Sequence, residues 1–359
     1  MELSYHHVGR LSDGCPAGVK ALQPIEIVGG GLAGLSLGLA LRRAGVAVTV
    51  SEVGYYPRHR VCGEFITGLS NDTIARLGLE PHLQDALQHH EVAWFMDGKR
   101  ARTQRLPSPA RALSRHLLDA RLAQAFADAG GKLLTSTRVA GRTTDEGCVI
   151  ATGRRRAESP WIGLKIHARN LPLLCDLELH LGNEAYVGLT RVEDGYVNVC
   201  GLFRRRELVG KGPALIISYL QAANLSVLAG RLGHAEFDAA SFCAVAAVGF
   251  DRQVPATTAG VMLGDAGAMI PPFTGNGMAM AFQSAECALD PLLDYVRHAQ
   301  TWSAACAAVR VAQQHRFRLR LATADLLHPF FLQPSRQRWL KRLARAHLLP
   351  LTALYSLLH

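Results

Sequence analysis

A glycine-rich segment early in the chain has the spacing that binding of a nucleotide phosphate requires. Gly29, Gly31 and Gly34 follow the short apolar run 25–28 in the pattern Gly-x-Gly-x-x-Gly. The first glycine permits a tight turn, the second lets a pyrophosphate approach backbone N–H groups, and the third permits close helix–strand packing. Glu52 follows about 20 residues later, where a carboxylate can accept hydrogen bonds from an adenosine ribose. This combination predicts a dinucleotide-binding βαβ unit.

A second glycine-rich signature indicates which dinucleotide is bound. Gly264 and Asp265 follow a short apolar run, and 275–277 (Gly-Asn-Gly) precede a predicted helix over 278–289. The carboxylate could accept a hydrogen bond from a ribityl hydroxyl. Exposed N–H groups and a positive helix end suit the N1–C2 carbonyl edge of a reduced, anionic flavin. The two signatures together favour FAD.

Two shorter motifs lie between these signatures and make a family resemblance specific. Residues 57–66 (PRHRVCGEFI) resemble a P-R-x-K-x-C-G-E loop, and 113–131 resemble a helix whose first-turn arginine, here Arg115, contacts the cofactor. Residues 264–277 resemble the pattern G-D-A-x…P…G-x-G. Over about 24–290, the chain is therefore similar to FAD-dependent oxidoreductases of the geranylgeranyl reductase and aromatic hydroxylase (group A flavin monooxygenase) superfamily.

The resemblance implies a fold and a set of cofactor-binding positions. The fold is α/β, with a Rossmann-like FAD-binding domain of the p-hydroxybenzoate hydroxylase type, an inserted antiparallel β-sheet substrate domain and a C-terminal helical segment. The implied cofactor-binding residues are Gly29, Gly31, Leu32, Ala33, Gly34, Glu52, Arg60, Cys62, Arg115, Val139, Gly264, Asp265, Pro272, Gly275, Asn276, Gly277 and Met278.

The length of 359 residues and a hydrophobic content of 49% are typical of a globular protein with two domains. The N-terminal residues lack the apolar core of a signal peptide, so we expect a loose extension there. The expected boundaries are 1–23 for this extension, 24–80, 111–160 and 255–309 for a discontinuous FAD-binding domain, 81–110 and 161–254 for the substrate domain, and 310–359 for the C-terminal segment.

Alternating residues predict the substrate sheet. Residues 161–169 alternate between apolar and polar side chains, which places Lys165 and His167 on one face. Because that face would cover the flavin ring, we expect Lys165 and His167 to be catalytic, with His167 as a base towards a phenolic substrate. Tyr186 and Asn198 are further candidates to line the cavity. The other predicted strands are 177–180, 185–192, 196–203 and 241–248, with a hairpin at 193–195.

The middle of the chain departs from the aromatic hydroxylases. The predicted strand 148–153 runs into Arg154–Arg156, where those enzymes have an Asp-Gly pair that contacts FAD and the pyridine nucleotide. NAD(P)H is the expected reductant. Either the arginines attract its phosphate, or a solvated basic turn lies here and a separate reductase supplies the electrons.

The resemblance leaves three functions open. The first is a monooxygenase that hydroxylates an apolar aromatic, quinol or polyketide-type substrate through a flavin hydroperoxide. The second is a reductase of prenyl or lipid double bonds, and the third is a non-catalytic FAD-binding protein.

The positive charge is concentrated at the C-terminus. From Arg310 onward there are nine basic residues and one acid, Asp325, so this segment carries +8 of the net charge of +10. Interleaved leucines and Trp339 make it amphipathic. It could contact an anionic membrane, dock on an acidic carrier protein that holds the substrate, or form a solvated helical layer. Nucleic acid is the least favoured partner, because no recognition motif accompanies the charge.

The spacing of the cysteines and histidines argues against metal-binding and redox motifs. The eight cysteines include no C-x-x-C pair, and no run of 18 apolar residues occurs, so we expect reduced thiols and a cytoplasmic protein, with membrane contact only at its periphery. His89 and His90 lack the spacing of a zinc site, so we expect surface histidines and no metal.

Overall fold

Two β-sheets organise the part of the chain that the computed structural model describes, namely residues 21–140, 145–154, 158–208, 210–249, 260–345 and 351–358. The expected N-terminal extension lies almost wholly outside these residues. In chain order the elements are β1 (Ile25–Val28), α1 (Leu32–Arg43), β2 (Val48–Ser51), β3 (Phe65–Ile66), α2 (Asn71–Leu77), α3 (Glu80–Leu83), β4 (Leu87–Met96), β5 (Lys99–Ala112), α4 (Arg115–Asp128), β6 (Lys132–Leu134), β7 (Cys148–Ile150), β8 (Trp161–Arg169), β9 (Leu177–Gly182), β10 (Ala185–Arg191), β11 (Val197–Arg204), α5 (Pro213–Ala222), α6 (Ser226–Leu232), β12 (Glu236–Ala246), β13 (Val261–Met262), α7 (Gly277–Val296), α8 (Trp302–Leu332), α9 (Pro334–Arg345) and α10 (Leu351–Leu358).

The first sheet is parallel and has the strand order β13-β7-β1-β2-β6. Its short strands are rich in Val and Ile, and helices α1, α4 and α7 pack in the same hydrophobic core. Buried parallel strands covered by helices are typical of nucleotide-binding α/β domains. Helix α1 contains Gly38, where a Cβ atom would lie 2.9 Å from the ring of Phe126, so this glycine lets α4 pack closely. The predicted Rossmann-like domain is confirmed.

The second sheet has the order β12-β8-β11-β10-β9-β4-β5-β3. The predicted hairpin at Glu193–Gly195 joins β10 to β11. The sheet is mixed rather than wholly antiparallel, because β4 pairs with β9 in parallel. Strands β4 and β5 are not among the predicted strands, because β5 carries mostly exposed polar and charged residues and has no buried alternation.

Strand register decides which side chains of this sheet point towards the first domain. Lys165 pairs with Cys200, and His167 pairs with Asn198. Tyr186 of β10 lies opposite Leu202 of β11. Since successive residues alternate in direction, the four candidates Lys165, His167, Tyr186 and Asn198 all lie on one face, which we call the inner face. The outer face packs on α5 and α6.

One expectation about histidines is wrong. His90 is exposed as expected, but His89 is buried, with its Nε2 2.8 Å from the carbonyl oxygen of Arg191. The alternation of β4 turns His89 inward, where the backbone of the neighbouring hairpin supplies a partner.

The predicted C-terminal helical segment is confirmed as α8, α9 and α10. Helix α8 begins after Thr301, whose Oγ1 accepts a hydrogen bond from the N–H of Ala304, and runs through residue 310 without a break. No helix in the described part of the chain is both long and apolar enough to cross a membrane. The seven cysteines among the described residues are all free thiols.

Candidate functional site

The three glycines of the first signature have different roles in the structure. Gly29 has a φ of 114°, and a Cβ atom there would lie 2.2 Å from the carbonyl oxygen of Ala151. A Cβ atom at Gly34 would lie 2.0 Å from the Gly29 oxygen, so both positions are needed for packing. At Gly31 the nearest atom is Nη2 of Arg115, at 4.0 Å. Gly31 therefore leaves the N-terminus of α1 accessible to a bulky anion.

Leu32 and Ala33 form the first turn of α1 and bury their side chains in the core. Their backbone N–H groups remain at the helix N-terminus, where they have no partner within the helix. Ala33 Cβ lies 3.4 Å from the position of a Cβ atom at Gly264. The two glycine signatures, far apart in sequence, thus meet in one place.

Glu52 ends β2 beside the glycine turn. Its Oε2 accepts a hydrogen bond from the N–H of Gly30 at 2.8 Å, and its Oε1 accepts from the N–H of Gly54 at 2.9 Å and from Arg58 at 2.6 Å. Burial alone would raise the pKa of Glu52, but the Gly54 N–H group and the charges of Arg60 and Arg58 outweigh it and lower that pKa. The carboxylate is therefore ionised and held in place beside the turn.

Two predicted arginines meet on one buried carboxylate beside the Gly29–Gly34 turn, which we call the phosphate turn. Arg115 donates from Nε and Nη2 to the two oxygens of Asp119 at 2.7 and 2.8 Å, and Arg60 donates from Nε to Asp119 at 2.9 Å. The Ser114 hydroxyl caps this helix by accepting a hydrogen bond from the N–H of Leu117. Sequence analysis missed Asp119, although its i+4 spacing from Arg115 on a helix is a readable signal.

The second signature lies between the start of α1 and helix α7. Gly264 has a φ of 56°, and its N–H group donates to the Ser284 hydroxyl at 2.8 Å. Asp265 follows in a 3₁₀ turn with its side chain exposed. Val139 lies beside this turn, half-buried against an apolar cluster that includes Ala266. The part of Gly264, Asp265 and Val139 in cofactor binding stays a prediction.

The Gly275–Gly277 turn lies at the start of α7. Gly275 has a φ of 70°, and a Cβ atom there would lie 2.3 Å from the Phe65 ring. Gly277 has no atom within 4 Å of a Cβ position, and Asn276 makes no side-chain cap. Instead, the Asn276 amide donates to the carbonyl oxygen of Leu358 in α10 at 2.8 Å. Pro272 opens the preceding 3₁₀ turn, and Met278 is buried in the first turn of α7.

Residues 62–67 connect the Gly275–Gly277 turn, which we call the flavin turn, to the inner face of the second sheet. The Cys62 carbonyl accepts a hydrogen bond from the Asn198 amide at 2.9 Å, and Thr67 Oγ1 lies 3.4 Å from Asn276 Oδ1. Burial raises the pKa of the Cys62 thiol, so this cysteine is not an activated nucleophile. The loop that resembles the family motif therefore bridges the two domains.

Glu64 of this loop is the centre of a group of side chains that we call the Glu64 cluster, in which Glu64, Lys165 and His167 are buried and His59 is half-buried. Glu64 Oε2 lies 2.6 Å from Nε2 of His167, and Oε1 lies 3.3 Å from Nζ of Lys165. Lys165 Nζ also lies 2.9 Å from Nδ1 of His59. The side chains of Glu64 and Lys165 are fully buried. Sequence analysis named Lys165 and His167 but missed Glu64 as their partner.

Glu64 is the negatively charged residue of the Glu64 cluster. Burial alone would raise the pKa of Glu64, but the hydrogen bond from His167 and the charge of Lys165 outweigh it and lower that pKa. Burial, followed by the positive charge of Lys165, lowers the pKa of His59 to about 4. His59 is therefore neutral near pH 7 and accepts a hydrogen bond from Lys165. The ligand atoms of His59, Glu64 and His167 lie within 4.8 Å of one another, but the lysine ammonium among them disfavours a cation.

Aromatic rings cover the other end of the inner face. Phe273 stacks on Phe331 with ring centroids 4.0 Å apart, and Tyr186 contacts both rings edge-on. His328 stacks on Phe273, and Trp94 packs against Phe331. We call these five residues the aromatic cluster. A groove of about 320 Å³ lies at the surface beside it, and its lining includes His328.

The arginine run that follows β7 is only partly described. Arg154 donates from Nη1 to the carbonyl oxygen of Ala247 at 3.0 Å and from Nη2 to that of Ala246 at 3.3 Å. These bonds attach it to the end of β12. Arg155 and Arg156 lie outside the described residues, so the prediction that they attract a nicotinamide phosphate stays a prediction.

The described site residues fit FAD. Gly31 and Gly277 each stand at the start of a helix where a Cβ atom would have few or no neighbours, so a ligand can reach backbone N–H groups at both. Glu52 and Arg115 stand at the α1 end, and Asp265 stands near the α7 end. The arrangement suits a pyrophosphate at α1, an adenosine ribose at Glu52 and a flavin ring at α7.

Comparisons with known proteins agree with this fit. Residues 23–169 match the family model of the FAD binding domain. A segment of 127 residues, 34% of this chain, is 30% identical to menaquinone reductase from Mycolicibacterium smegmatis, and it covers 31% of that protein. The chain therefore spans about a third of the length of this curated relative.

Solved structures with the same fold cover nearly the whole chain. PqsL from Pseudomonas aeruginosa, a probable FAD-dependent monooxygenase, has a TM-score of 0.70 at 17% identity and covers 92% of this chain and 99% of its own. The p-nitrophenol 4-monooxygenase PnpA from Pseudomonas putida has a TM-score of 0.73 at 12% identity, with coverage of 94% and 97%. HpxO from Klebsiella pneumoniae, solved with FAD and uric acid, has a TM-score of 0.73 at 14% identity, with coverage of 93% and 96%. The chain therefore carries an FAD binding domain and has the fold of the FAD-dependent monooxygenases.

Proposed function

We propose that this protein is an FAD-dependent monooxygenase that hydroxylates an apolar aromatic, quinol or polyketide-type substrate. One observation carries the proposal. The inner face of the second sheet is buried, it borders the loop that holds the flavin turn, and its two ends differ in chemistry. The aromatic cluster at one end suits the body of such a substrate, and the Glu64 cluster at the other suits its hydroxyl group.

The FAD site of the chain supplies binding and orientation. Backbone N–H groups at the starts of α1 and α7 would hold the pyrophosphate and the flavin ring, while Glu52 would bind the adenosine ribose. Bound FAD, once reduced, supplies the activation of oxygen and the transfer of one oxygen atom. We propose NAD(P)H as the reductant. The buried side chains of the inner face exclude water from the reacting carbon.

The Glu64 cluster would control the proton of the substrate. An electron-rich ring reacts faster when its hydroxyl group is deprotonated, and His167 is the nitrogen base of the inner face that contacts an ionised carboxylate. Glu64 orients the His167 ring and stabilises it after it accepts a proton. Lys165 provides a nearby positive charge, which favours the phenolate form of the substrate. His167 and Lys165 are therefore the proposed catalytic residues.

The reaction type can be tested by product analysis. The purified protein, loaded with FAD, is incubated with NADH or NADPH and with phenol, quinol and polyketide-type substrates under ¹⁸O₂. We expect a product that is heavier than the substrate by one ¹⁸O atom, and no product without oxygen. Turnover that continues without oxygen would overturn the monooxygenase proposal.

A matched pair of histidine variants tests the role of His167. His180 is also buried and bonded to a glutamate, Glu178, but it lies on the outer face of the same sheet. We expect His167→Gln to lower kcat about 100-fold and to change its pH profile, whereas His180→Gln leaves both unchanged in the folded enzyme. Equal losses in the two variants would indicate a structural role only.

The identity of one segment to menaquinone reductase favours a second candidate function, that of a reductase. The bond that we propose for this alternative is a prenyl or lipid double bond. In that reaction the product is heavier by two hydrogen atoms, and oxygen is not consumed. The same experiment therefore separates the two candidates. A protein that binds FAD but turns over neither class of substrate would fit the third function, a non-catalytic FAD-binding protein.

A further inference from the structure

We propose that the outward side of helix α9 docks on an anionic lipid bilayer. We call this side the α9 surface and define it by Arg336, Arg338, Trp339, Arg342 and Leu343. The proposal rests on the surface alone and is independent of the reaction that the protein catalyses.

The inner side of α9 is fixed to the rest of the protein. Gln337 is buried, and its amide donates to the carbonyl oxygen of Gly182 at 2.7 Å and to that of Phe331 at 2.6 Å. Leu340 packs against the apolar residues around the aromatic cluster. Because these contacts hold the helix, the α9 surface is not needed for its attachment.

The α9 surface exposes apolar side chains together with arginines. Trp339 is 59% exposed and Leu343 is 38% exposed, and their i, i+4 spacing places them on one stripe of the helix. Arg336, Arg338 and Arg342 are also exposed, and the Arg342 guanidinium lies 5.3 Å from the centre of the Trp339 ring. A tryptophan and a leucine flanked by arginines are typical of a helix that lies in the headgroup layer.

The neighbouring helix α8, which contacts α9, also exposes apolar side chains. Its Leu319 and Leu326 are 61% and 70% exposed and are seven residues apart, which places them on one side of the helix. Exposed leucines on both helices are unfavourable in water, and their transfer into the apolar layer of a bilayer lowers the free energy.

Charge decides between the possible occupants of the α9 surface. The sequence from 302 to 358 contains one acid, Asp325, and nine basic residues. A second copy of the chain would bring the same positive charge to the interface, which disfavours a symmetric dimer. An anionic bilayer combines negative charge with an apolar layer, so it complements both the arginines and Trp339. We therefore commit to an anionic bilayer.

Vesicle binding by the full chain tests the proposal. The FAD-loaded protein is sedimented with vesicles of phosphatidylcholine alone or of phosphatidylcholine with phosphatidylglycerol. We expect binding to be at least about tenfold tighter with phosphatidylglycerol and to weaken as salt is raised. Brominated lipids should quench tryptophan fluorescence in the wild type but not in Trp339→Phe. Equal binding to both vesicle types would overturn the proposal.

Charge-reversal variants localise the contact. The pair Arg338→Glu and Arg342→Glu should weaken vesicle binding at least about tenfold. The control pair Arg43→Glu and Lys132→Glu makes the same change in net charge at exposed residues of the FAD-binding domain, and it should weaken binding much less. Both pairs should retain FAD content and thermal stability. Equal losses of vesicle binding in the two pairs would show that only net charge matters and would overturn the proposal. The proposal would also be overturned if the first pair left vesicle binding unchanged and instead abolished a dimer or a complex with an acidic protein.

Discussion

The phosphate turn lies within the first domain and the Glu64 cluster joins the two domains, and they depend on opposite properties of the chain. The phosphate turn works because side chains are absent at Gly29, Gly31 and Gly34, so backbone groups can approach one another and an anion. The Glu64 cluster works because side chains are present and paired, and the pairs join residues 103 and 106 positions apart in sequence. One site is local in sequence, whereas the other exists only once both domains have folded.

Substitutions in the two regions should therefore have different consequences. A side chain added at Gly31 would block a ligand without disturbing the fold, because its Cβ atom has room. A charge removed from the Glu64 cluster would leave its partner buried and unpaired, which costs stability before it affects chemistry. Stability and FAD binding should respond separately to variants of the two regions.

The largest effect is expected for Gly31→Val. The added side chain would occupy the space from which a pyrophosphate approaches the N-terminus of α1, so FAD binding should weaken by about 100-fold or more. The protein should still fold, because the nearest atom to the new Cβ is the flexible end of Arg115 at 4.0 Å. Flavin absorbance after purification and an FAD titration measure the loss.

A second glycine-to-valine variant serves as a control for loss of FAD binding through a general loss of stability. Gly230 in α6 also has no atom within 4 Å of its Cβ position and lies in the other domain. Gly230→Val should retain full FAD binding. If it loses FAD as Gly31→Val does, or if Gly31→Val keeps its FAD, the assigned role of the phosphate turn is wrong.

The next effect, on stability rather than on FAD binding, is expected for Glu64→Gln. This change leaves the buried Lys165 ammonium without its carboxylate, and removing one partner of a buried ion pair costs about 3 kcal/mol. The free energy of unfolding, measured with urea, should fall by that amount while FAD binding to the folded protein changes little.

The double variant Glu64→Gln with Lys165→Met tests the pairing directly. It removes both charges, so it should be more stable than Glu64→Gln alone, and the two changes should be far from additive. Additive losses would show that the two side chains do not stabilise each other.

The contrast also explains what could be predicted from sequence. The glycine signatures, Glu52 and the alternation of β8 are local patterns with a direct physical meaning, and they located the FAD domain and the shared face of Lys165 and His167. Glu64, His59 and Asp119 gave weaker signals, because their partners come from distant segments. A carboxylate inside a motif does not reveal which lysine or histidine it will meet, and the exposed, charged β5 has no pattern that distinguishes a strand from a loop.

The smallest effect concerns acid stability and His59. Burial and the charge of Lys165 lower the pKa of His59 from its ordinary value of 6.5 to about 4. Between these values the unfolded chain binds a proton at this residue and the folded protein does not, so the free energy of unfolding falls as the pH falls from 6.5 to about 4. His59→Gln removes the titration but keeps an acceptor for Lys165, so its loss of stability between about pH 7 and about pH 5 should be smaller than that of the wild type. Urea unfolding at both pH values measures the difference, and equal losses would show that His59 titrates normally and that Lys165 does not act on it.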